Sequence, residues 1–66
     1  LKEVTRTTDR VLLSAIEACL AEHDIDFQPF DENIGSLYSA AFPIRIVVLD
    51  EDFEVARDAL LERGLL

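Results

Sequence analysis

The chain has 66 residues, half of them apolar, with a net charge of −8 from 14 acidic and 6 basic side chains. That length holds one small core and no second domain. Its apolar fraction excludes a disordered tail, and its charge argues against nucleic acid and anionic membrane surfaces as partners.

Taken in chain order, Lys2 to Thr7 (KEVTRT) carries the β-branched Val4, Thr5 and Thr7 and predicts a strand. Asp9 stands at an N-cap position before RVLLSAIEACLAEH. There Leu12, Ile16, Cys19 and His23 recur at helical spacing, flanked by Ala15 and Leu20. Arg10, Ser14, Glu17, Ala21 and Asp24 fall opposite, so the segment predicts an amphipathic helix. Ile25 to Phe30 (IDFQPF) alternates, with Ile25, Phe27 and Pro29 on one side and Asp26, Gln28 and Phe30 on the other. Pro29 cannot donate to a ladder, which places this strand at a sheet edge.

Asp31 to Pro43 (DENIGSLYSAAFP) is a long connection. Ile44 to Leu49 (IRIVVL) is apolar on both faces except at Arg45, the pattern of a central strand. Asp50 opens the last element, with Glu51, Asp52 and Glu54 in the first turn, where a helix dipole favours negative charge. Phe53, Ala56, Ala59 and Leu60 form its apolar stripe, and Glu54 is spaced to pair with Arg57. Gly64 fits the position just past the helix, with Leu65 placed for the accompanying hydrophobic contact.

These elements assemble as an α+β domain, β-α-β-β-α, over residues 1–66. A right-handed crossover joins the first two strands, and the long connection returns the third antiparallel. The apolar third strand belongs in the middle, giving a three-stranded antiparallel sheet in the order 1-3-2 with both helices on one face. This is a ferredoxin-like split β-α-β arrangement lacking the last strand. The first strand then keeps an open edge, and one sheet face has no helix over it. Homodimerisation through that face or edge follows as an expectation. The alternative is that Leu37, Tyr38 and Phe42 fold over the face.

A single cysteine, Cys19, excludes an intrachain disulfide, and one Cys with one His cannot assemble a zinc site. A second subunit is the remaining support for so small a domain. No secretory segment and no apolar run near the length of a membrane span is present, so a cytoplasmic location is expected. The absence of any Met points to a missing or trimmed first residue.

Three pieces of the chain carry a family resemblance. They are the Arg-Thr-x-Asp start at Arg6 to Asp9, the aromatic–Asp–x–Asn step at Phe30, Asp31 and Asn33, and the run from Asp50 to Arg57. With the sequence around them they resemble a family of short bacterial proteins described as prokaryotic signal-transducing proteins, a domain of unknown function. The resemblance covers nearly the whole chain. It implies a β-α-β-β-α fold grouped with the GlnB (nitrogen-regulatory P-II) superfamily and a role in signalling. Family members usually carry Pro after the capping Asp, where this chain has Arg10, and a second Gly in the long connection. The nucleotide-binding loops of true P-II proteins have no counterpart here.

Charge placement suggests one further site. In the predicted topology Arg6, Arg10, Arg45 and Arg63 gather at one rim of the sheet, where the backbone N–H groups after Thr8 and Asp9 also point. A helix N-terminus beside arginines suits an anion. An anionic small molecule or acidic segment would contact Arg6, Thr8, Asp9, Arg10 and Arg45, with Asn33, Ser36 and Tyr38 closing over it. The structural alternative has Arg63 at its helix end, Arg10 in solvent, and Asp31 and Glu32 neutralising the rest.

The opposite rim collects Glu22, Asp24, Asp26, Asp50, Glu51 and Asp52, whose spacing fits no calcium loop and whose last members have a capping role. His23 reads as a structural histidine at a helix end. Cys19 reads as a core thiol, since a Cys–His nucleophile pair would lack an orienting third group. Arg6 and Asn33 could imitate an acylphosphatase pair, but with only Gly35 and Gly64 the glycine-rich phosphate loop is missing. The leading expectation is a non-catalytic binding or regulatory module without cofactor, acting as a homodimer or on a protein partner. The second is an anion sensor using the arginine rim, and the third an enzyme.

Overall fold

The computed structural model describes residues 1–30 and 43–66. Its elements are β1 (Lys2–Thr7), α1 (Arg10–Glu22), β2 (Phe27–Phe30), β3 (Ile44–Val48) and α2 (Phe53–Glu62), with a 3-10 turn over Asp50–Asp52 leading into α2.

Local chemistry sets the helix ends. Asp9 holds an extended backbone, and its Oδ1 accepts from the N–H groups of Val11 at 2.9 Å and Leu12 at 3.2 Å. Two donors that the helix cannot satisfy internally are thereby satisfied. At the other end of α1 the N–H of Ile25 reaches the Leu20 carbonyl at 3.0 Å and that of Asp24 reaches Ala21 at 3.1 Å. Asp24 sits at a φ of 56°, the left-handed conformation this closure demands. α2 repeats the device. Leu65 donates to Leu60 at 2.8 Å and Gly64 to Leu61 at 3.0 Å, with Gly64 at a φ of 71°. Leu65 then packs against the core, as its spacing from the glycine predicts.

The sheet is antiparallel throughout, in the order β1-β3-β2. Ile44, Ile46 and Val48 of β3 share one hydrophobic cluster with Leu13, Ile16, Cys19 and Leu20 of α1 and Ala56, Ala59 and Leu60 of α2. Alternate residues of one strand therefore meet both helices, which fixes both helices on the same face. The small side chains of Ala56 and Ala59 let α2 lie close against the core. The ring of Phe53 lies 5.2 Å from the Lys2 ammonium and 5.9 Å from the Arg57 guanidinium, a cation–aromatic contact that ties β1 to the start of α2.

Four details differ from the sequence reading. The buried stripe of α1 runs through Leu13, Ile16, Cys19 and Leu20, whereas Leu12 is half-buried and Ala15 is exposed. The helix is rotated by part of a turn to bring Leu13 onto the sheet. His23 is the exposed C-cap residue, its Nδ1 2.9 Å from the Cys19 carbonyl oxygen. Ile25 precedes β2 and is buried as part of the α1 closure. Arg57 lies 3.9 Å from Asp58 instead of pairing with Glu54.

Candidate functional site

The alternation that sends Ile44, Ile46 and Val48 to the helices sends Arg45 and Val47 to the other face. Register then decides their neighbours. Arg45 stands opposite Arg6 on one side and Phe30 on the other, and Val47 opposite Glu3 and Gln28. Among the described residues no element packs on this second, open face, which carries Glu3, Arg6, Gln28, Phe30, Arg45 and Val47.

Arg6 and Arg45 would repel each other as a directly opposed pair of like charges. Glu3 offsets this. It accepts from Arg6 Nη2 at 2.7 Å and from Arg6 Nε at 3.1 Å, and its Oε1 lies 4.0 Å from Arg45 Nε. Such a two-toothed contact is the strong geometry for a guanidinium and a carboxylate. The hydrogen bonds from Arg6 hold the Glu3 carboxyl below its ordinary value; partial desolvation opposes this, and the charges of Arg6 and Arg45 add to it. The Arg45 guanidinium lies 5.8 Å from the Phe30 ring. As the sequence of β3 predicts, Val47 on this face is buried and Arg45 is the polar exception.

The described residues proposed for an anion site fall on β1, β3 and the start of α1. Arg6 and Arg45 share the open face, while Arg10 lies in the first turn of α1. Thr8 and Asp9 connect β1 to α1, and the Asp9 carboxylate already takes the N–H groups of Val11 and Leu12. An anion arriving at those donors would have to displace it. Asn33, Ser36 and Tyr38 lie outside the described residues.

Arg63 does not join the arginine rim. It makes an ion pair with Glu22, which the sequence reading assigned to the opposite rim. The reason is how the helices meet. Cys19 Sγ of α1 lies 3.8 Å from the Ala59 carbonyl oxygen of α2, so the C-terminal halves of the two helices approach each other. The same contact buries the Cys19 thiol completely. Among the described residues no three His, Cys, Asp or Glu side chains come together to hold a metal ion. No helix among them is long and apolar enough to cross a membrane.

Sequence reasoning passed over Glu3, the residue that organises this face. Strict alternation along KEVTRT puts Glu3 and Arg6 on opposite faces. The pairing shifts between Glu3 and Thr5, leaving Val4 without a cross-strand partner, and this brings them together. No residue type in the strand announces that shift.

No curated protein matches the chain. A family described as "putative prokaryotic signal transducing protein" matches it over residues 1–64, and the chain belongs to that family.

Proposed function

We propose that this domain is a non-catalytic regulatory module in signalling, acting in the cytoplasm through protein–protein contact on the sheet face opposite its helices. The observation that carries this reading is the placement of the helices: both pack on one face of β3, and among the described residues no element covers the other, which carries Glu3, Arg6, Gln28, Phe30, Arg45 and Val47. A mixed surface with an aromatic residue and arginines around an apolar centre suits a protein interface. The family's description supports the signalling role. The three-stranded sheet with both helices on one face supports grouping the fold with GlnB-like domains that lack a last strand.

A non-catalytic role is favoured because the conspicuous reactive side chains have structural partners. Asp9 caps α1, Glu3 holds Arg6, Glu22 holds Arg63, and the Cys19 thiol is in the core.

Photo-crosslinking in cells tests the reading, with a benzophenone side chain introduced at Gln28 on the open face or at Val55 on the exposed side of α2. Adducts to protein from position 28 and few from position 55 are expected. Adducts only from position 55 would overturn it. Amide shifts at Arg6 to Arg10 on titration with organic phosphates would favour the anion-sensor reading instead.

A further inference from the structure

We infer that the protein partner for the β1 edge is a second copy of this chain, and that two β1 strands pair antiparallel with Glu3 of each opposite Arg6 of the other. This rests on the protein-contact reading above and narrows it to one edge and one occupant.

The sheet has two outer strands, and among the described residues each has a single neighbour, β3. β2 runs only from Phe27 to Phe30 and contains Pro29, which has no N–H to offer. Asp26 stands directly before it and the strand itself carries no charged residue, so two β2 edges offer each other no charge complementarity. β1 spans Lys2–Thr7, has no proline, and carries two cations and one anion, Lys2, Arg6 and Glu3, in a chain of net charge −8. It is the edge at which two copies meet with the least local repulsion.

A two-fold axis through the middle of the strand supplies the complementarity. Antiparallel pairing of identical strands about the Val4–Thr5 step sets Lys2 against Thr7 and Glu3 against Arg6, each twice. Directly opposed side chains must share a face, and in an unbulged strand residues three apart do not. Here they do. The register of β1 against β3 places Glu3 beside Val47 and Arg6 beside Arg45, both on the open face, because the shift at Val4 restores them to one side. The Glu3–Arg6 pair within each chain then becomes two pairs between chains, and no like charges of β1 stand directly opposed.

The test measures self-association of the full chain by sedimentation equilibrium, with circular dichroism to verify folding of each variant. Glu3→Arg makes both cross-strand contacts cation against cation, and Arg6→Glu makes both anion against anion. Each is expected to weaken the homodimer by roughly tenfold or more. Mixing the two variants sets Arg against Glu at both contacts and should restore a heterodimer. A pair that acts only within one chain would be broken in both variants and could not be rescued by mixing.

A wild-type dimer that neither variant weakens, or variants that fail to recover on mixing, would overturn the β1 pairing while leaving contact through another surface intact. A wild-type Kd above about 1 mM would overturn self-pairing altogether. The crosslinking at Gln28 reads the broader proposal independently.

Discussion

Glu3 and Arg6 lie three residues apart on one extended strand, yet their side chains meet on the same face of the sheet, joined by hydrogen bonds of 2.7 and 3.1 Å. The pairing shift at Val4 makes this possible. The bulge therefore selects the chemistry of this face: it gives Glu3 a partner and sets Arg6 opposite Arg45, where Glu3 offsets the two like charges.

The pair has a pH signature. Glu3 titrates lower in the folded chain than in the unfolded one, so its contribution to stability is present above the ordinary carboxylate value. That contribution is lost as pH falls through the folded value. The side chains are partly exposed, which keeps the contribution to about 1 kcal/mol or less. Replacing Arg6 by Gln should raise the Glu3 pKa towards its ordinary value, read from the side-chain carboxyl resonance. In urea unfolding the variant should be less stable at neutral pH and match the wild type once Glu3 is protonated in both. An unchanged Glu3 titration would disprove the contact.

Asp9 supplies the cap of α1 with two hydrogen bonds. Asp9→Ala should cost about 1 kcal/mol, and Asp9→Asn much less, because the amide oxygen still accepts from the same donors. Equal losses for the two variants would show that the charge, and not the cap geometry, stabilises this end.

Asp24 and Gly64 occupy the same left-handed position after α1 and α2, at φ of 56° and 71°. Adding a glycine at the first and removing it at the second should move stability in opposite directions. Asp24→Gly relieves backbone strain and removes a negative charge from the unfavourable end of a helix, and should stabilise by about 1 kcal/mol. Gly64→Ala should destabilise by about 1 kcal/mol, purely through the backbone, since an added Cβ meets nothing within 4 Å. Thermal unfolding of both variants reads the difference directly.

Ile46 is fully buried at the centre of β3, between the two helices and the outer strands. Ile46→Val should cost about 1 kcal/mol and Ile46→Ala about 2–4 kcal/mol, enough to leave a domain of this size largely unfolded on warming. Val55, more than half exposed on α2, should tolerate alanine within about 0.5 kcal/mol. Comparable losses at the two positions in denaturant titrations would contradict the placement of the core.

What was legible in the chain is what short-range chemistry specifies. Asp9 before an amphipathic run, Gly64 followed by Leu65, Pro29 in a short alternating segment and the β-branched IRIVV stretch each mark an element or its end through contacts only a few residues long. An apolar strand and two amphipathic helices then leave few ways to bury their surface, and the order β1-β3-β2 follows. Contacts between elements were beyond that reach. Whether Leu12 or Leu13 faces the sheet depends on a small rotation of α1, and whether Arg63 meets Glu22 depends on where α2 approaches α1. Whether Glu3 faces Arg6 depends on one unpaired residue in a ladder. Residue periodicity determined which surfaces are apolar; only the packed arrangement decided which charges share a face, because charge pairing is sensitive to ångström-scale offsets that periodicity does not encode.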